Sequence, residues 1–141
     1  MLGRRHPVDS ERQINLARTN LVRAELTGAM LNYADLSGAD LTYAGLNQAH
    51  LTHAYLYETI LTQVGLNGAH LDGAYLGKAD LTGAGLSGAI LTHGSLTDEQ
   101  WDSAGHKDNI IWVPPNPFIS RRHRPEQRTL PAGPERADSA G

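Results

Sequence analysis

The sequence predicts an all-β solenoid built from four-sided coils, and three observations carry that prediction. Leucine stands at every fifth position from Leu16 to Leu96, seventeen times without a break. A small residue lies two places before most of these leucines, alanine in twelve cases, with Ile14, Thr19, Thr59, Val64 and Gly94 as the exceptions. The remaining positions recur at a spacing of twenty: Gly45, Gly65 and Gly85; His50 and His70; Tyr55 and Tyr75; Thr42, Thr62 and Thr82.

A period of five suits neither ordinary element. On an α-helix each step of five turns about 140° past a full circle, so the leucines would spiral over every face. On a flat strand an odd step sends successive leucines to opposite sides. Heptad packing needs a 3.5-residue period and also fails. If each unit instead turns a corner, every leucine and the small residue two before it can point to one axis. Four units then close a coil of twenty residues, and equivalent side chains stack in ladders about 4.8 Å apart. Seventeen units make just over four coils, a rod roughly 20 Å long at that spacing. A coil alone cannot bury its leucine face, so stability comes from each coil packing on the next.

The corners read from turn chemistry. Glycine follows leucine by two at positions 28, 38, 68, 73, 83 and 88, where a positive φ is needed. Tyr33, Tyr43, Gln48, His53, Glu58, Gln63, Lys78 and His93 fill the same place in other units, which predicts a second, tighter turn type there. At the C-terminal end, Thr97-Asp98-Glu99-Gln100-Trp101 reads as a short helix capped by Thr97 or Asp98 and stopped by Gly105. Asn109–Val113 reads as a short apolar strand ended by Pro114 and Pro115. Leu96, Trp101, Ile111 and Trp112 are expected to cover the end of the leucine column. The chain therefore divides into a polar lead-in (1–13), the repeat (14–98), a cap (99–118) and a tail (119–141) whose Arg, Pro, Gly and Ser content predicts disorder.

Units such as ADLSG, ADLTY, AYLGK and ADLTG resemble the pentapeptide-repeat family, whose pattern is A-(D/N)-L-x-x. The resemblance spans residues 14–98 and implies that family's right-handed quadrilateral β-helix. Aspartate precedes leucine only at Asp35, Asp40 and Asp80, so the surface is more neutral than the family pattern implies. The stretch LTDEQW…IIWVPPNP resembles the C-terminal cap of bacterial members. The phrase LGRRHPVDSERQINLARTNL resembles the linker that enters the repeat in larger members, which suggests a shortened relative of a larger protein.

Composition excludes several function classes. The chain of 141 residues has no cysteine, hence no disulfide, zinc-thiolate centre or cysteine nucleophile. No apolar run reaches the roughly 20 residues of a membrane span, and the N-terminus lacks a signal-peptide core, so a cytoplasmic protein is expected. No phosphate loop, nucleophile elbow or His–Glu zinc motif is present, so no enzyme, catalytic residue or cofactor is expected. The net charge is −3, and the repeat alone carries −4, which disfavours direct nucleic-acid binding by the rod. The Arg121-Arg122-His123-Arg124 cluster is a weak basic patch, the usual mark of a solvated tail.

Two readings of the outward side chains stand side by side. Tyr55, Tyr75 and Tyr57, with Ile60, could form a protein-binding surface, or could be aromatic and branched residues that simply suit strand ladders. His50 and His70, stacked in register, could hold a divalent ion with Asp72 as nearest third ligand, or could be polar ladder residues; no metal is assigned. The preferred function is a non-enzymatic scaffold for a protein partner, with a homodimer open. The resemblance implies an alternative, since some family members imitate duplex DNA and bind DNA gyrase, altering quinolone or toxin sensitivity. Asp35, Asp40 and Asp80 would then be the contact residues. A duplex carries about one charge per 1.7 Å, and four charges over roughly 20 Å fall about threefold short.

Overall fold

The computed structural model describes residues 13–116; the lead-in through Arg12, Phe118 and the Arg-rich tail lie outside the described residues. Parallel bridges link residues twenty apart all along the repeat. They run Asn15–Asp35–Tyr55–Tyr75, Asn20–Asp40–Ile60–Asp80, Glu25–Gly45–Gly65–Gly85 and Met30–His50–His70. The last column continues through strand β1 (His70–Leu71) into β2 (Ile90–Thr92) and β3 (Ile111–Val113), all parallel. The result is a right-handed quadrilateral β-helix.

The units of the first three coils place their backbone donors in a common pattern. In the unit around Leu41, Leu41 N donates to Ile60 O at 2.8 Å and Tyr43 N to Thr62 O at 3.0 Å. Ala44 N closes the turn onto Leu41 O at 2.9 Å, and Gly45 N donates to Ala24 O at 2.9 Å. Four of the five N–H groups are thus satisfied by backbone. The fifth belongs to the residue after leucine, and in eight units a side chain supplies its acceptor. Asp40 Oδ1 accepts from Thr42 N at 3.1 Å, and Asn15, Asn20, Asp35 and Asp80 do the same for Ala17, Val22, Ser37 and Thr82. Elsewhere an asparagine one coil away takes over, with Asn32, Asn47 and Asn67 accepting from Thr52, Asn67 and Ser87. A short acceptor before leucine therefore has a local backbone cause.

The expected alternation of two turn types is not found between Arg18 and Gly88, but the His93 corner does differ, with positive φ at Gly94 and not at His93. Every residue two places after leucine, from Arg18 to Gly88, has positive φ, at 56–66° for the nine non-glycine residues and 70–76° for the glycines. The residue before it does not, which defines one turn type with the left-handed residue in third place. The physical reason lies in the ladder. In most corners the N–H of that residue reaches a carbonyl on the next coil, while Gly73 N donates instead to the Thr92 hydroxyl at 2.8 Å. The roughly 1–2 kcal/mol that an L-residue gives up in this conformation is offset there by a backbone hydrogen bond.

The leucines and the small residues fill the interior. Leu36 through Leu71 and Ala34 through Ala69 are fully buried, and Val64 and Thr59 occupy the same inward track. Thr59 is buried without strain on its hydroxyl, which donates to Leu36 O at 2.8 Å. In the first coil Leu16, Leu21 and Leu26 are only half-buried, and Ile14 is exposed.

At the other end, helix α1 (Asp98–Ser103) begins with a reciprocal cap. Gln100 N donates to Thr97 Oγ1 at 3.0 Å and Thr97 N to Gln100 Oε1 at 2.9 Å. After α1 the chain retraces a coil: Gly83, Leu86 and Gly88 donate to Ser103, His106 and Asp108 before β3 pairs with β2. Two expectations are corrected here. The helix ends at Ala104 in extended conformation, not at Gly105. Gly105 instead lies against the rim of the last coil, where a Cβ would stand 3.0 Å from Gly83 O and 3.1 Å from Ala84 O. Ile111 does not cover the column but is exposed, because it pairs with outward Ile90. Ala104 is buried there, and Ile110, Trp101 and Trp112 pack against the core beside Leu96.

Candidate interaction surface

The four columns give the rod four faces of different chemistry. On the first face, the rings of Tyr55 and Tyr75 stack at 5.0 Å and 8° between planes, with Asp35 next in the same column. The stack half-buries Tyr75, while Tyr55 remains 40% exposed. Burial, then the nearby phenols of Tyr55 and Tyr33, raise the Tyr75 pKa above its ordinary value. Tyr57 sits on the corner that leads to the second face, and Ile60 on that face, both exposed. Tyr55, Tyr57 and Ile60 thus present three exposed apolar side chains within one coil.

Asp40, Ile60 and Asp80 form the second column, so the aspartates are two coils apart with an isoleucine between them. Asp35 lies on the neighbouring face. The three carboxylates do not converge, and one oxygen of each is committed to the corner that follows it. Asp80 accepts from both the hydroxyl of Thr82, at 2.7 Å, and its N–H. The Thr82 hydroxyl and then its N–H lower the Asp80 pKa; burial opposes them, and the Thr62 hydroxyl adds a smaller lowering effect. This fixes the sign of a pH effect. The stabilisation is complete above the unfolded value of 3.8 and is lost as pH falls through the lower folded value. The Asp80→Asn variant keeps an oxygen acceptor but cannot titrate. Acidification from about pH 6 to about pH 2 should therefore lower the wild-type Tm more than the Tm of this variant. Parallel Tm-versus-pH curves would show that the carboxylate does not hold the corner.

The third face is smooth. Gly45, Gly65 and Gly85 carry no side chain, and Asn47 and Asn67 fold across the latter two, their Oδ1 atoms 3.0 and 3.1 Å from where a Cβ would stand. The fourth face carries Met30, His50, His70, Ile90 and Ile111 in register. The His50 and His70 rings stack at 4.8 Å. On the adjoining corner, Tyr33 stacks on His53 at 5.1 Å and His93 on Trp112 at 5.3 Å. All four histidines of the repeat therefore lie on one side of the rod. Asp72 does not join the His50–His70 pair; its carboxylate accepts from the Thr52 hydroxyl at 3.1 Å. Among the described residues, no three His, Asp or Glu side chains are grouped to hold a metal, and no helix is long and apolar enough to cross a membrane.

Two features escaped the sequence reading. Gln100 is buried, and its Nε2 donates to Leu76 O at 2.8 Å and Ala79 O at 3.0 Å, closing the carbonyl edge that the last coil leaves open. The Thr97-x-x-Gln100 spacing was the available signal. The Arg23 guanidinium lies 4.9 Å over the Tyr43 ring, a contact between adjacent coils that only the twenty-residue register could have revealed.

Stacked five-residue units with paired inward tracks and outward side-chain ladders define a repeat solenoid. The chain belongs to the family described as pentapeptide repeats, which matches residues 12–44, 34–64 and 59–98 in eight copies. Two solved structures are similar. One is a pentapeptide repeat protein (Rfr23) from the cyanobacterium Cyanothece 51142, at 26% identity and TM-score 0.53, covering 75% of this chain and 90% of that one. The other is alr5209, a pentapeptide repeat protein from Nostoc Pcc 7120, at 25% identity and TM-score 0.56, with the same coverage of both chains. Among curated proteins, none matches this chain.

Proposed function

We propose that the protein is a non-enzymatic scaffold that binds a protein partner through the corner formed by Tyr55, Tyr57 and Ile60. One observation carries the reading: three large side chains, 40%, 45% and 38% exposed, lie within six residues of one coil. Aromatic residues are enriched at the centres of protein interfaces, where their area is gained at little entropic cost. The backbone beneath them is fixed by the ladder, so docking costs little ordering. The test is cross-linking to a partner by the purified full chain, comparing wild type with Tyr55→Ser, Tyr57→Ser and Ile60→Thr. A cross-linked species that all three variants lose, with unchanged melting, supports the reading. A species retained by all three removes this corner as the interface.

The DNA-mimic alternative rests on the acidic sign of the repeat. Gyrase supercoiling with and without a quinolone tests it, and Asp35→Lys, Asp40→Lys and Asp80→Lys would map the contact. Asp35, Asp40 and Asp80 each have a corner to cap, which accounts for them without any partner.

A further inference from the structure

We propose that His50 and His70 form a surface binding site for a divalent first-row transition ion, with Cu²⁺ held most tightly. The two residues occupy successive coils in exact backbone register: His70 N donates to Ala49 O at 2.9 Å and Leu51 N to His70 O at 2.8 Å. Their rings are 4.8 Å apart and 24° from parallel, and both are half-exposed. Among the described residues, no hydrogen bond engages either imidazole, so the ring nitrogens are uncommitted within the described structure. The rungs on either side, Met30 and Ile90, are apolar and offer no competing hydrogen bond.

Metal–imidazole bonds of about 2.0–2.1 Å place two cis nitrogens about 3 Å apart. From a centroid separation of 4.8 Å the two stacked rings must turn so that one nitrogen of each points to a common ion, which rotation about the side-chain torsions of half-exposed residues on a fixed backbone supplies. Two imidazoles in cis positions leave the other positions of a tetragonal Cu²⁺ to water, and copper heads the affinity order for nitrogen ligands. His53 and His93 cannot do the same together, because the coil carrying Gly73 separates them and each is stacked on Tyr33 or Trp112. The site lies on a different face from Tyr55, Tyr57 and Ile60 and does not depend on the proposed partner.

The experiment is a titration of the full chain with Cu²⁺, and separately Zn²⁺, read by calorimetry, by electron paramagnetic resonance and by the melt. Wild type should bind one Cu²⁺ more tightly than Zn²⁺, show coupling to two imidazole nitrogens, and melt at higher temperature with the ion. The stabilisation follows because the unfolded chain does not hold residues twenty apart together. Loss of an outer-shell partner alone costs about 10- to 100-fold in metal affinity, so His50→Asn and His70→Asn should each weaken binding at least tenfold. His53→Asn should bind as wild type does. Equal affinity and an unchanged resonance spectrum in His50→Asn and His70→Asn would overturn the site, as would coupling to a single nitrogen in wild type.

Discussion

Leu61→Asp should abolish the cooperative thermal transition. Leu61 is fully buried at mid-column, between Leu41 and Leu81 of the coils above and below. No side chain of the inward track carries a positive charge to pair with a carboxylate there. An isolated carboxylate in such surroundings costs so much that the group neutralises or the fold opens. The substitution also removes a leucine, and Leu→Ala changes in well-packed cores alone cost about 2–5 kcal/mol. Either effect compares with the whole stability of a small domain, about 5–15 kcal/mol. Its neighbour Thr62 is half-exposed, and Thr62→Ser should leave the melting temperature within a degree or so. Calorimetry of the two variants checks the inward assignment directly, and similar melts would contradict it.

The second large effect is expected at the cap. Gln100→Leu keeps a side chain of similar size but removes three hydrogen bonds, to Leu76 O, Ala79 O and Thr97 N. Leaving a buried polar group without its partner costs about 1–3 kcal/mol, so the loss should total about 3 kcal/mol or more. The damage should also be local. Coils stabilise their neighbours one by one, so hydrogen exchange should rise first around Leu76–Leu81 and α1 and last near Leu51. Uniform acceleration along the rod would show that the end coil is not a separate unit. Glu99→Leu, at an exposed position of the same helix, is the control and should change little.

The inward track was legible in the sequence because burial in a solenoid repeats with the covalent period. A five-residue step that keeps leucine and alanine on one axis needs a corner in every unit, and the twenty-residue recurrence sets four corners per coil. The ladders followed from the twenty-residue recurrence, and the structure places His50 on His70 and Tyr55 on Tyr75. The corners were misread for a physical reason. Local propensity treats Gly38 and Tyr43 as different problems, but both must deliver an N–H to the coil below, and that demand overrides the preference of the side chain. Ile111 was misplaced similarly. Ile110 and Ile111 are interchangeable by composition, and only the pairing of β3 with β2 decides which faces out.

The sequence by itself determined the repeat, the inward pair, the coil length, the stacked columns and the family, because each is a statement about period. Only the tertiary structure decided the turn type shared by the corners from Arg18 to Gly88, the role of Asp35, Asp40 and Asp80 as corner caps, and the burial of Gln100 under the last coil. Each of these depends on where unpaired backbone donors and acceptors fall in space. That quantity is set by how one coil sits on the next, which no single unit of the repeat encodes.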